Sequence, residues 1–255
     1  MSFFKRLDAK RFRPTDLVSG AWNVREQHVA PALGLLAHAI ELDHAVRRDS
    51  ILTMARVSYD ILGTLPIDEF EIDVSVIRPG RTIELVEARL SHAARAIVIA
   101  RAWLLQTPDT SAISGTPVLA IPTPETLALW KPETLWRGGF VRSIEVRRSL
   151  LGVGRAVSWI RSEVPLVAGE SVSPTARALG IIDIANGLAA REDVNEIAFP
   201  NIDLTVHFIR KLRGLWLGLD TTVSFGPSGI GLTHSIVHDQ DGPIGVVSQS
   251  LTIRH

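Results

Sequence analysis

Hydrophobic positions along the chain recur first with the spacing of an α-helix and then with the spacing of β-strands. Residues 30–45 carry apolar side chains at helical intervals, which predicts a helix with one strongly buried face. Its stripe comprises Leu33, Leu36, Ala37 and Ile40. Pro31 fits the first helical turn, where the missing N–H would have no partner in any case.

Short β-rich runs follow this helix. They cover residues 52–62, 70–77, 82–91 and 96–106. The turn signal Arg78-Pro-Gly-Arg separates two of them. Closely spaced strands joined by tight turns indicate an antiparallel meander.

The same order of elements returns in the second half of the chain. Ser173-Pro174 has the form of a helix cap followed by a proline in the first turn, so we expect a second helix with Asp183 near its middle. Its apolar stripe comprises Ala178, Leu179, Ile182, Ala185 and Leu188. Strand-like runs follow at residues 202–209, 216–224, 231–238 and 244–253. Further leading strands are predicted near residues 12–22, 138–147 and 155–164.

A weak internal repeat accompanies this order. Val74-Ser, Pro79 and Leu85 correspond to Val223-Ser, Pro227 and Leu232, about 145–150 residues later. Chance similarity of strand-turn-strand patterns is the alternative. Between the halves lies a segment with five prolines, which we interpret as a linker. The predicted domains are therefore residues 1–106, a proline-rich linker at 107–134, and residues 135–255.

Each half contains one helix whose apolar face needs burial and one sheet whose apolar face needs a cover. Wrapping the sheet around the helix satisfies both requirements. The predicted fold class is α+β, a double hot-dog with two tandem antiparallel sheets, each wrapped around a long helix. We expect the two sheets to pair edge to edge.

Composition narrows the function. Lys plus Arg equals Asp plus Glu at 27 each, so no bulk charge favours a nucleic-acid partner. Cysteine is absent, which excludes disulfides and a cysteine nucleophile. The charged N-terminal run does not resemble a signal peptide, and no apolar stretch approaches the length of a membrane span. We therefore expect a cytoplasmic protein.

Several motifs are ruled out. Gly226-Pro-Ser-Gly lacks the last glycine of a serine-hydrolase elbow, and Gly152-Val-Gly lacks the third glycine of a dinucleotide loop. The histidines form no ligand cluster in the sequence. We predict neither a metal nor a cofactor.

Asp183 is the most informative polar residue, because isoleucines and alanine surround it in a helix predicted to be buried. A carboxylate there is costly unless it has a partner, and desolvation raises its pKa toward the range useful for a base. A structural hydrogen-bond network is the alternative to catalysis.

Four other polar residues are candidates around it. Asn201 opens a predicted strand after Pro200, and Gln249 interrupts an apolar strand. Asn186 lies three residues after Asp183 and could contact it or a substrate. Thr205 is expected on the same strand face as Asn201. A turn residue, a solvent-facing strand glutamine and a surface amide are the ordinary interpretations of Asn201, Gln249 and Asn186.

Three runs carry a resemblance to a known family: Asp183-Ile-Ala-Asn-Gly, Asn201-Ile-Asp-Leu-Thr-Val-His and Gly242-Pro-Ile-Gly-Val-Val-Ser-Gln-Ser-Leu. Together with His28-Val-Ala-Pro-Ala-Leu-Gly and Val76-Ile-Arg-Pro-Gly-Arg in the first half, they resemble the type II acyl-CoA thioesterases.

The resemblance implies a water-activating trio of Asp, Thr or Ser, and Gln in the second repeat. Asp183 takes the first role and Gln249 the third. Asn201 stands where the family has a hydroxyl, so Asn201 or Thr205 would aim the water. Ile40 occupies the position of Asp183 in the first helix, counted from Pro31 and Pro174. Only the second repeat is then expected to hold a base.

The predicted function is hydrolysis of fatty acyl-CoA to free acid and CoA. Asp183, Asn201 and Gln249 are the predicted catalytic residues, and Asn186 and Thr205 the predicted substrate-binding residues. Two alternatives stay open: a non-catalytic acyl-CoA or lipid-binding protein, and a hot-dog enoyl-CoA hydratase. The hydratase ranks lower because no histidine follows Asp183 closely in the sequence. We expect a homodimer or a higher homo-oligomer.

Overall fold

Alternating buried and exposed residues build long antiparallel strands in both halves of the chain. The structure, a computed structural model, describes residues 1–49 and 51–254. The predicted domain 135–255 therefore ends on His255, which lies outside the described residues. The strands of the first half are β1 (Phe4–Arg6), β2 (Arg11–Pro14), β3 (Thr53–Ile61), β4 (Phe70–Arg78), β5 (Ile83–His92) and β6 (Arg95–Leu105).

The second half repeats this arrangement. Its strands are β7 (Ala128–Trp130), β8 (Glu145–Gly152), β9 (Arg155–Arg161), β10 (Asp203–Phe208), β11 (Leu217–Phe225), β12 (Ile230–Asp239) and β13 (Gly242–Thr252). The meanders predicted from the sequence are therefore confirmed in both halves. The strand predicted at 138–147 is wrong in its first part, because Gly139–Arg142 forms a short helix, α2.

All these strands form one antiparallel sheet across the described part of the chain. Their order is β1-β2-β4-β5-β6-β3-β10-β13-β12-β11-β9-β8-β7. The central order of the first half, β2-β4-β5-β6-β3, is mirrored by β9-β11-β12-β13-β10 in the second. The halves join where β3 pairs with β10, from Asp60 opposite Asp203 to Arg56 opposite His207. This confirms the double hot-dog and the expected edge-to-edge pairing.

The central helix of the first half, α1, spans Val29–Arg47 and is confirmed at nearly its predicted length. Its apolar residues are buried on most sides by the sheet and by the second half. The helix also has the length and mean hydropathy (1.2) of a membrane span. Inside the fold, however, 61% of its most apolar 18-residue stretch is buried. The helix resembles a span by length and composition only, as buried core helices also do. Its apolar character has a structural cause, since strands and helices cover it.

The second helix is not continuous, and this part of the prediction is wrong. Helix α3 (Pro174–Leu179) ends at Gly180, a 3₁₀ turn covers Ile182–Ile184, and a short α4 (Ala185–Leu188) follows. The break lies where α3 crosses α1. A Cβ built on Gly34 of α1 would stand 2.6 Å from the carbonyl oxygen of Ala176 and 2.7 Å from Cα of Gly180. The two backbones thus approach too closely for any larger side chain.

The proposed linker, residues 107–134, carries strand β7, which pairs with β8 at the edge of the second half. The remainder of this segment consists of 3₁₀ turns and extended chain. The division at 1–106, 107–134 and 135–255 stays a proposal.

The crossing of α1 and α3 yields a prediction about stability. Changing Gly34→Ala adds a methyl group against backbone atoms that cannot rotate away, so the helices must move apart. We expect the free energy of unfolding to fall by about 1–3 kcal/mol, despite the better helix propensity of alanine. Chemical denaturation measures this change.

Gly115→Ala is the matched control, because a Cβ at Gly115 has no heavy atom within 4 Å. It should leave stability unchanged or slightly raised. Equal stability of the Gly34→Ala protein and its parent would contradict the close approach described above.

Candidate active site

The carboxylate of Asp183 lies at the centre of a cluster formed by three segments of the second half. Asp183 stands on the 3₁₀ turn after α3 and is 4% exposed. Its Oδ1 accepts hydrogen bonds from Nδ2 of Asn201 at 2.7 Å and from Nε2 of Gln249 at 3.0 Å. The fold thus brings together the three residues that the sequence singled out as catalytic.

Burial determines the acidity of this group. Desolvation raises the pKa of Asp183 to about 7, and the hydrogen bonds from Asn201 and Gln249 partly oppose that rise. A carboxyl group with this pKa exchanges a proton near neutral pH. The environment of Asp183 therefore suits a general base.

The amide hydrogens around Asp183 are already engaged. Nε2 of Gln249 contacts both Oδ1 and the backbone carbonyl oxygen of Asp183, and Nδ2 of Asn201 also donates to the carbonyl of Asp203. By contrast, Oε1 of Gln249 is buried and has no hydrogen-bond partner in the described structure. The site consequently offers an unsatisfied acceptor beside the carboxylate.

Thr205 lies on the opposite face of the sheet, so the expectation that it shares a face with Asn201 is wrong. Asn201 is opposite Leu251 on β13, whereas Thr205 is opposite Ser248. Four residue steps from Asn201 to Thr205 thus pair with three steps from Leu251 to Ser248. Because of this irregularity, the side chains of Asn201 and Thr205 point to opposite faces of the sheet. Thr205 points with Ser248 away from Gln249 and the core.

Asn186 does not contact Asp183 through the hydrogen bond that helical spacing suggested. Its Nδ2 donates to the carbonyl of Phe199 at 3.3 Å, and its Oδ1 accepts from the N–H of Gly187. The break in the second helix changes the angular relation of the two residues. Asn186 instead lines a neighbouring pocket.

His28 is the residue at this site that the sequence argument missed. It caps the N-terminus of α1, and its Nδ1 lies 4.0 Å from Oδ2 of Asp183. Its ring packs on Phe140, with centroids 4.3 Å apart. Its place just before the first predicted helix was the available signal.

The imidazole of His28 is held neutral. Nδ1 accepts a hydrogen bond from the N–H of Ala30 at 3.2 Å, and burial lowers the pKa of His28 to about 3. A neutral ring whose Nδ1 accepts must carry its proton on Nε2.

An aromatic pocket adjoins this cluster. His28 and Asn186 line it together with Ile184, the residue after Asp183. Its other walls come from both halves and from the linker, and include Trp22, Trp130, Pro132 and Trp136. The rings of Trp22 and Trp136 meet edge to face with centroids 4.8 Å apart. The pocket is therefore apolar on most sides and borders the Asp183 cluster at His28.

Comparison with known families accounts for nearly all of this architecture. Residues 18–105 match the profile of the acyl-CoA thioesterase N-terminal domain, and residues 121–253 match that of the acyl-CoA thioesterase C-terminal domain. The chain belongs to the acyl-CoA thioesterase family. The resemblance noted in the sequence is thereby confirmed for both halves of this thioesterase-family protein. No curated protein sequence matches the chain significantly.

Solved structures share the fold along almost the whole length. A hot-dog protein of unknown function from Alicyclobacillus acidocaldarius is 12% identical with a TM-score of 0.77, over 98% of this chain and 95% of that one. An acyl-CoA thioesterase II from Mycobacterium marinum is 19% identical with a TM-score of 0.68, over 99% and 96%. A Mycobacterium tuberculosis dehydratase domain in complex with C12:1-CoA is 13% identical with a TM-score of 0.51, over 94% and 89%. At these identities the similarity establishes the fold of the thioesterase-family chain.

The raised pKa of Asp183 predicts how stability depends on pH. An unfolded aspartate ionises near 3.8, well before the folded one at about 7. The parent protein therefore loses stability as pH rises from about 4 to about 7, and the full penalty applies above that range. Asp183→Asn cannot ionise, so above pH 7 its free energy of unfolding should exceed that of the parent by up to about 4 kcal/mol.

Denaturant titrations between pH 4 and 9 measure this difference. Asp193→Asn is the control, because hydrogen bonds from Asn195 lower the pKa of that exposed carboxyl group. The control should show no gain in stability with rising pH. A constant difference between Asp183→Asn and the parent would refute the raised pKa.

Proposed function

We propose that this chain hydrolyses acyl-CoA thioesters with a water molecule activated by Asp183. The observation that carries the proposal is a buried carboxylate with a pKa of about 7, fixed by two amide donors beside an unsatisfied amide oxygen. Membership of the acyl-CoA thioesterase family supplies the substrate class.

Each polar group then has a defined part. Asn201 and Gln249 hold Oδ1 of Asp183, which leaves Oδ2 as the atom that takes a proton from water. Oε1 of Gln249 belongs to the same amide that contacts Oδ1 and has no partner of its own, so we assign it to accept the second hydrogen of that water. Oδ1 of Asn201 is a further acceptor, since its amide hydrogens point to Asp183 and Asp203.

The reaction follows from this arrangement. Oδ2 of Asp183 takes a proton from water as the water oxygen bonds to the thioester carbonyl carbon, and the carbonyl electron pair moves onto its oxygen. When the tetrahedral intermediate collapses, the C–S bond breaks. The electron pair on the oxygen re-forms the C=O bond, while the sulfur leaves with the pair of the C–S bond and takes the proton from Asp183, which gives the free acid and CoA.

The aromatic pocket supports a place for a fatty acyl group. It is lined mainly by apolar side chains and borders the cluster at His28 and Ile184. Asn186, on its wall, is the predicted substrate-binding residue that remains close to the site. A cytoplasmic location and assembly as a homodimer or a higher homo-oligomer stay predictions.

Hydrolysis of an acyl-CoA panel tests the proposal. We expect the parent to release CoA and Asp183→Asn to lose at least about 100-fold in kcat, because a general base contributes roughly 10²–10⁴-fold. The rate of the parent should rise with pH and level off above about 7, as Asp183 becomes ionised. A thiol reagent reports released CoA without background, since the chain has no cysteine.

Asp193→Asn again serves as the control, and its kcat should match that of the parent. Full activity in Asp183→Asn would show that another group is the base. Binding of acyl-CoA by calorimetry without any CoA release would instead favour a non-catalytic acyl-CoA-binding protein.

Enoyl-CoA hydration is a second candidate function, and the position of His28 favours it. The reason for ranking a hydratase lower was the absence of a histidine near Asp183 in the sequence, and that reason is wrong in three dimensions. Nδ1 of His28 lies 4.0 Å from Oδ2 of Asp183, although 155 residues separate them.

Incubation with an enoyl-CoA separates the two chemistries. We expect CoA release, and no loss of the ultraviolet absorbance of the conjugated thioester beyond the loss that hydrolysis causes. The low pKa of His28 keeps its imidazole neutral, so the ring accepts a proton poorly and carries no second proton to give away. Loss of that absorbance without free CoA would favour the hydratase.

A further inference from the structure

His28 occupies the boundary between the carboxylate of Asp183 and the aromatic pocket. It lies 4.0 Å from Oδ2 of Asp183 and also lines the pocket, and its side chain is 13% exposed. Any thioester carbonyl that reaches Asp183 from this pocket passes the imidazole.

The ring is fixed in one orientation and one tautomer. Phe140 packs against one face of the imidazole, and the N–H of Ala30 donates to Nδ1. The proton of the neutral ring is therefore on Nε2. Among the hydrogen bonds of the described residues, none uses Nε2 of His28, so this N–H is a preorganised donor.

Hydrolysis of a thioester requires such a donor, because negative charge develops on the carbonyl oxygen. The side-chain amides closest to Asp183 belong to Gln249 and Asn201. The two amide hydrogens of Gln249 are directed at Oδ1 and the backbone carbonyl of Asp183, and those of Asn201 at Asp183 and Asp203. Neither side-chain amide is free to donate to a substrate in this arrangement.

We infer that His28 is a further catalytic residue, whose Nε2–H donates to the thioester carbonyl oxygen and stabilises the oxyanion. This inference rests on the proposed hydrolysis. The proton of Nε2 stays on the imidazole throughout, while the water proton passes to Asp183 and then to the departing sulfur. The first half thus supplies the electrophilic group, and the second half the base.

A pair of substitutions separates this role from the helix cap. Asn at position 28 places its oxygen near the position of Nδ1 and still caps α1, but it has no group at the position of Nε2. Gln extends its amide nitrogen toward the position of Nε2. We expect His28→Asn to lose roughly 100- to 1000-fold in kcat, the usual cost of one oxyanion donor, and His28→Gln to recover part of it.

Three readouts accompany the rates. Thermal unfolding of His28→Asn should remain near that of the parent, because the cap is retained. KM should change much less than kcat, since the donor acts mainly on the developing charge. The pH midpoint of His28→Gln should stay at that of the parent, because His28 exchanges no proton. A parent that releases CoA while His28→Asn keeps the same kcat would overturn the inference and leave the proposed hydrolysis intact.

A measurement without turnover tests the donor directly. Octanoyl-CoA labelled with ¹³C at the carbonyl is bound to Asp183→Asn and to the double variant Asp183→Asn, His28→Asn. Donation by Nε2 should move the carbonyl resonance downfield in the first complex and less in the second. Identical resonances, or no binding by Asp183→Asn, would overturn the inference. Because this experiment needs no hydrolysis, it applies even if the parent releases no CoA.

Discussion

The site depends on keeping one carboxylate out of water without satisfying it completely. Asp183 is buried, and its Oδ1 receives both amide donors while Oδ2 receives none among the described hydrogen bonds. A fully hydrogen-bonded carboxylate would have a low pKa and little basicity, whereas an unsupported one would remain protonated. Two donors on one oxygen give an intermediate result, a pKa of about 7 with one basic oxygen left over.

The break in the second helix makes this arrangement accessible. Gly34 and Gly180 allow α1 and α3 to cross in backbone contact, and the chain then turns at Ile182–Ile184 instead of continuing as a helix. That turn presents Asp183 to β13 and to the start of α1. A continuous helix would have the same apolar stripe, so the burial pattern alone does not distinguish the two.

The sequence predicted the fold well because hydrophobic periodicity reports which face of each element is buried. The two meanders, α1 and the pairing between the halves all follow from that pattern. It also identified Asp183, Asn201 and Gln249, which stand out as polar groups at apolar positions or at a strand start.

The hydrophobic pattern did not predict features that depend on local irregularities of the backbone or on tertiary packing. A one-residue shift in strand pairing places the side chains of Asn201 and Thr205 on opposite faces of the sheet, and no residue between them indicates this shift in the sequence. The proximity of His28 and Asp183 arises from tertiary packing over 155 residues.

The mirrored order of strands explains how two similar halves can have different tasks. Both halves place helical segments against the sheet, yet Ile40, which follows Pro31 at the same spacing as Asp183 follows Pro174, is fully buried among apolar residues. That position of the first half therefore contributes to packing and offers no carboxylate. The first half instead contributes His28, which caps its helix, and Trp22, which lies on the pocket wall.

Because the pocket also includes Trp130 and Pro132 from the segment between the halves, neither half alone encloses the site. The continuous sheet through β3 and β10 holds these contributions in one fixed geometry, and a site shared in this way requires both halves to remain in one chain or in permanent contact.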